Sequence, residues 1–292
     1  MNQIVPTREG PDFICVGTQK GGTQWLFDQL DGHPDFWMPP IKELHYFDHP
    51  GGHVKKASRL LEAAEDDLET CNATRVQQRR RPLTEGDILH LRIYVRRTKK
   101  IRMKEYASLF SMKDKRLSGD ITPNYSALKP GLAQRIVERF PDARIVFIAR
   151  EPIERFWSAY NMDLRRLGEE PSVASMMAYF HRDGVQRRTF QAEAVRRWRR
   201  ITPNGRFALF FFDDLIANAV AFRETILAFL GGDPDKPSAD FDPDYNRKGT
   251  DLKIPMTDDY RSRLIELFAD DIRACAAEFG GPALDWPARY QL

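Results

Sequence analysis

The chain has 292 residues, 42% of them hydrophobic and 11% aromatic, with a formal charge of +3. That is apolar material enough for a large α/β domain; it excludes general disorder, and so small a positive excess does not mark the chain as a nucleic-acid binder. Cys15, Cys71 and Cys275 are far apart with no zinc-type spacing, and no run approaches the ~20 apolar residues of a membrane span, so a cytoplasmic protein without structural metal is expected.

Phe13 to Gly17 is a short apolar run ending in glycine, which predicts a buried strand entering a turn. Trp25, Leu26, Gln29 and Leu30 then have helical spacing, closed by His33-Pro34. From Arg75 to Lys104 there are eleven Lys and Arg against Glu85 and Asp87. Residues 50–104 are read as a basic insertion, either a lid over an anionic ligand or a solvated face. Arg116 to Asp120 predicts a short strand before the turn Thr122-Pro123-Asn124-Tyr125, and 131–140 a helix. Arg144 to Ala149 is the clearest central strand, and Glu151-Pro152 opens the next helix. Further helices are expected at 172–182 and 188–200, a strand at 207–212, a helix at 215–230 closed by Gly231-Gly232, a polar loop at 233–256 and a helix at about 257–279. Strands alternating with helices predict one domain over 1–292, an α/β/α sandwich around a mostly parallel sheet, with ligands beyond the carboxyl ends of the strands.

The loop after the first strand carries the most information. Gly17 and Gly22 have the spacing of a P-loop, but Thr23 stands where the P-loop lysine would be. The loop's lysine is Lys20. Amides of Gly21, Gly22 and Thr23 at a helix start still suit an anion. A magnesium-dependent phosphotransferase needs an aspartate at a neighbouring strand end. Here Arg150 stands there, which suits a second anionic group.

These features resemble the sulfotransferase family, whose donor is 3′-phosphoadenosine-5′-phosphosulfate (PAPS). A K-x-G-T loop that holds the 5′-phosphosulfate corresponds to Lys20, Gly22 and Thr23, followed by Trp25. The element R-x-P-x-x-R-x-x-S-x-Y that binds the 3′-phosphate is matched in full by "REPIERFWSAY", with Arg150 and Ser158 as the ligands. "RKGT", with Arg247, Lys248 and Gly249, resembles the late loop that closes over the 3′-phosphate, and "FFDDL", 211–215, the acidic pair before the last long helix. The chain departs from the family at Gln24, where Thr or Ser is usual; the hydroxyl contact is either taken over by the Gln24 amide or lost.

The resemblance also implies a base in "KELHYF", 42–47. Glu43 matches the family's glutamate, and His45 is its rival; on a strand both would share a face, on a helix they would diverge. "GDITPNY" matches an element that borders the cleft in relatives, while Trp157 and Tyr160 read as core. The expected activity is metal-independent sulfuryl transfer from PAPS to a hydroxyl or amine of a small molecule or glycan. The alternatives are a P-loop kinase and a non-catalytic nucleotide- or polyanion-binding protein.

Overall fold

The computed structural model describes residues 9–49, 51–97, 100–238 and 254–292. The Arg247-Lys248-Gly249 loop lies outside the described residues. In chain order the elements are β1 (Phe13–Gly17), α1 (Thr23–Asp31), α2 (Val54–Asp66), α3 (Leu68–Gln77), α4 (Glu85–Val95), α5 (Met103–Ser108), β2 (Gly119–Ile121) and α6 (Pro130–Arg139). After these come β3 (Arg144–Ala149), α7 (Pro152–Leu167), α8 (Val173–Phe180), α9 (Asp183–Thr189), α10 (Gln191–Ile201), β4 (Phe207–Phe211), α11 (Phe212–Ala217), α12 (Ala219–Leu230) and α13 (Asp258–Phe279).

The four strands form one sheet in the order β2-β1-β3-β4, and every pairing is parallel. Strand alternation divides the side chains between the two faces. Ile14, Val16, Ile145, Phe147 and Ala149 enter one hydrophobic cluster; Phe13, Cys15, Val146 and Ile148 enter the other. Both faces are therefore covered by helices, as a parallel sheet requires. The expected three-layer α/β/α arrangement is what the chain adopts.

Two expected helices are broken. The helix placed at 215–230 is interrupted at Asn218, whose extended backbone and side chain cap α12 by accepting from the Ala221 amide at 3.0 Å. The helix placed at 188–200 starts instead at Gln191, because Phe190 leaves helical geometry and separates α9 from α10. Residues 54–95 carry α2, α3 and α4, and Leu61, Leu91 and Tyr94 share the buried cluster of Ile14. Several arginines of the basic run point inward. Arg81 is bidentate to Asp87 at 2.6 and 2.7 Å, pairs with Asp31 at 2.8 Å, and donates to the Met38 carbonyl.

Candidate active site

Gly17 ends β1 against the Phe147 ring; a Cβ there would stand 2.3 Å from the ring, so only glycine lets the two strands stay paired. The chain then turns back on the sheet, with the Thr18 amide on the Ile148 carbonyl at 3.0 Å. Lys20 at φ 73° and Gly22 at φ 88° both take left-handed backbone, and Gly22 is the N-cap of α1. The first amides of α1 thus face outward at the crest of β1 with the positive end of the helix behind them. The Gly21 amide is not one of them: it donates to the Thr18 carbonyl at 3.1 Å and closes the turn. The expected nest therefore begins one residue later.

β3 lies beside β1, so its C-terminal residue reaches the same loop. The Arg150 guanidinium donates to the Lys20 carbonyl at 2.9 Å and lies over the Phe212 ring at 4.4 Å. Its backbone is clamped in both directions by Gln191, with N–H to Oε1 at 3.1 Å and carbonyl to Nε2 at 2.6 Å. Glu151 caps α7, accepting from the amides of Ile153 and Glu154, and receives the Tyr290 hydroxyl at 2.8 Å. Pro152 in the first turn fits this start. Arg155, the other arginine of the motif, is buried and donates to Thr189 at 3.0 Å; its place is structural. Ser158 lies two turns into α7. The Lys20 ammonium approaches the Met162 sulfur at 4.0 Å, one turn beyond Ser158 on the same helix face. The turn of Lys20, Arg150 and the Ser158 face of α7 thus lie close together.

Trp157 and Tyr160 are buried, as expected for core residues. Trp157 Nε1 donates to the Ile254 carbonyl at 3.0 Å, and the Ile254 amide to Asn161 at 2.8 Å. Trp25 packs at 5.4 Å from the Phe222 ring. Gln24 Nε2 donates to Asp28 at 2.9 Å, one helical turn further along α1.

Residues 42–47 form neither strand nor helix. Glu43 at φ 64° and His45 at φ 47° are both left-handed, a conformation that costs non-glycine residues about 1–2 kcal/mol each. That geometry, not strand alternation, brings the two together: His45 Nε2 stands 3.3 Å from Glu43 Oε2, and its Nδ1 is 2.8 Å from Asp48. Lys42 bridges the two halves of the site, 2.6 Å from Glu43 Oε1 and 3.5 Å from the Thr23 hydroxyl.

The loop is held from three sides, and this was not read from the sequence. The Arg97 guanidinium spans the carbonyls of Leu44, His45 and Tyr46 at 3.3, 3.5 and 3.1 Å and lies 4.4 Å over the Tyr46 ring. The Tyr94 hydroxyl donates to Leu44 at 2.5 Å. The Tyr46 amide donates to the Tyr125 hydroxyl at 2.9 Å, which itself donates to buried Asp120. Thr122 and Tyr106 complete the coordination of that carboxylate, so the "GDITPNY" element props the loop.

Electrostatics follow from these contacts. Burial alone would raise the Glu43 pKa, but the hydrogen bond from His45 and the charge of Lys42 outweigh it and hold the carboxyl well below its usual range. Burial disfavours the His45 imidazolium, yet Asp48 and Glu43 push its pKa up to about 9. Between pH 6.5 and 9 the folded state therefore keeps a proton that the unfolded chain gives up, and stability falls as pH rises through that window. In thermal melts His45→Asn should flatten this slope; a slope equal to that of the parent would show that the pairing is absent in solution.

Among the described residues, Glu43, His45 and His53 offer metal-type ligand atoms within 4.8 Å of one another. A proton held on His45 up to about pH 9 and the Lys42 charge on Glu43 both oppose that use.

Residues 11–235 match the family model described as the sulfotransferase family. Among solved structures, the chain is similar to a sulfotransferase from Alicyclobacillus acidocaldarius, with TM-score 0.58 and 23% identity over 96% of this chain and 99% of that one. It is also similar to the sulfotransferase domain from the curacin biosynthetic pathway, with TM-score 0.50 and 15% identity over 90% and 99%. At such identities the likeness speaks for the fold. No curated protein matches the chain.

Proposed function

Because the chain belongs to the sulfotransferase family, we propose that it moves a sulfuryl group from PAPS to an acceptor hydroxyl or amine, with Glu43 as the base. The observation that carries this is the bond from Arg150 to the Lys20 carbonyl, which joins the two cationic ends of a site fit for a doubly phosphorylated adenosine. The α1 amides, Thr23 and Lys20 would hold the 5′ end, and Arg150 and Ser158 the 3′-phosphate. Arg247, Lys248 and Gly249 are proposed for the same phosphate from the sequence motif alone.

In the transfer, the acceptor oxygen bonds to sulfur as the bond from sulfur to the bridging oxygen breaks. The electron pair leaves with the 5′-phosphate, and the acceptor's proton passes to Glu43. Lys20 meets the charge that grows on the bridging oxygen. A carboxylate with so weak a hold on protons takes one only from an oxygen already bonding to sulfur. Protonated His45 cannot accept a proton at neutral pH, so it serves to orient Glu43.

Calorimetry with adenosine 3′,5′-bisphosphate, with and without Mg²⁺, tests the donor site. Binding that ignores the metal is expected. Binding of ATP with Mg²⁺ in its place would return the chain to the kinase reading. Sulfated product with PAPS then separates an enzyme from a binding protein.

Arg97 gives a sharper test of the loop. Arg97→Ala leaves the His45 and Tyr46 carbonyls short of this donor, while Leu44 keeps the Tyr94 hydroxyl; the cost is about 1–3 kcal/mol where such a group is buried. The expected result is a lower kcat with bisphosphate affinity kept. Loss of bisphosphate binding would mean that Arg97 supports the whole fold and not the loop.

A further inference from the structure

Beyond His45 the loop opens into a pocket of about 500 Å³, shared between residues 45–49, Gly52 and His53, the start of α6 and α9. Its charge is one-sided. Lys129, Arg187 and Arg188 line it. Asp48, the acid in the lining, is already paired with His45, and Arg187 pairs with Asp183. α6 starts at Pro130, so the positive end of that helix also lies at the pocket. Phe47 and Leu128 give the same pocket an apolar side.

Arg188 is the telling residue. Its Nε is buried and has no hydrogen-bond partner. That atom is shut off from water and so from a ligand as well; what Arg188 offers the pocket is the charge of a guanidinium that lines it. Arg188 lines the same pocket as His45 and Asp48, which belong to the base cluster.

We propose that the acceptor carries an oxyanion, such as a carboxylate, sulfate or phosphate, in addition to the group that is sulfated, and that Arg188 with Lys129 holds it while Phe47 and Leu128 cover the carbon skeleton. This rests on the sulfuryl-transfer reading and narrows its acceptor class. Planar bidentate recognition by arginine suits such a group.

The test uses matched acceptors that differ only in charge: ω-hydroxy acids against their methyl esters, hexuronate against hexose glycosides, and sugar phosphates against the free sugars. With PAPS, kcat/KM for the charged member of a pair should exceed that for the neutral one by about tenfold, the size of one charge-assisted contact. Arg188→Ala should bring the ratio near one, and Arg188→Lys should restore part of it. The three pairings distinguish carboxylate from phosphate as the preferred anion. A ratio near one in the parent enzyme, or one that survives Arg188→Ala in protein with a normal melt, overturns the proposal. Direct calorimetry of the same hydroxy acids on protein saturated with adenosine 3′,5′-bisphosphate reads the pocket even if no acceptor is turned over. Bisphosphate that binds while no anionic acceptor binds sinks this inference alone; bisphosphate that does not bind sinks the donor assignment.

Discussion

Glu43→Gln should lower kcat by about 10²–10⁴-fold, the usual contribution of a positioned general base, and leave the Kd for adenosine 3′,5′-bisphosphate close to that of the parent. The separation of the two effects follows from the geometry. Glu43 touches Lys42 and His45, and only Lys42 extends to the Thr23 side of the donor loop. The amide cannot take the proton but keeps an oxygen for Lys42, so the loop should stay in place. The pH–rate profile supplies a second reading of the same site. If Glu43 is the base, the rate should show no titration between about pH 5 and 8, because Glu43 stays ionised throughout and His45 stays protonated until about 9. A rise in rate through pH 6–7, or a Glu43→Gln variant with near-normal turnover, would move the base to His45.

Lys20→Ala is expected to cost about 10²–10³-fold in kcat, the range found when one preorganised donor to developing charge is removed. The backbone at Lys20 is what Arg150 binds, and its side chain is what reaches over α7 toward Met162. Alanine keeps the carbonyl that Arg150 needs but adopts the φ of 73° no more easily than lysine, so the loop geometry should persist and the chemistry alone should suffer. Rapid-quench single-turnover assays with PAPS check this. An unchanged transfer step with weaker bisphosphate binding would reduce Lys20 to a binding residue.

β1, β3 and β4 were legible because each is a short apolar run between turn residues, and a parallel sheet buries such runs on both faces; β2, Gly-Asp-Ile, is no such run, and the strand expected at Arg116 to Asp120 overlaps it only in part. The meeting of the Lys20 turn with Arg150 was legible for a related reason. The glycines of 17–22 and the strand-end Arg150 lie at fixed offsets from β1 and β3, and sheet order then brings them together. The helix breaks at Asn218 and Phe190 were missed because apolar spacing runs through both; at Asn218 the capping residue itself was the available signal. The inward turn of Arg81 and Arg97 was hidden for a different reason. A charge run reads as solvated surface unless its partners are known, and Asp31, Met38 and the carbonyls of 44–46 are distant in sequence. The meeting of Glu43 and His45 through left-handed backbone has no periodic signature at all.

The way residues 42–47 are held bears on how acceptor choice could be re-engineered. The carbonyls of Leu44, His45 and Tyr46 and the amide of Tyr46 are held by Tyr94, Arg97 and Tyr125, groups that arrive from elsewhere in the chain. A transplant of those six residues from a relative would leave donors aimed at the wrong atoms. The smallest interchangeable cassette runs from Lys42 through α4 to Arg97, with Tyr125 kept as the fixed socket into which it plugs.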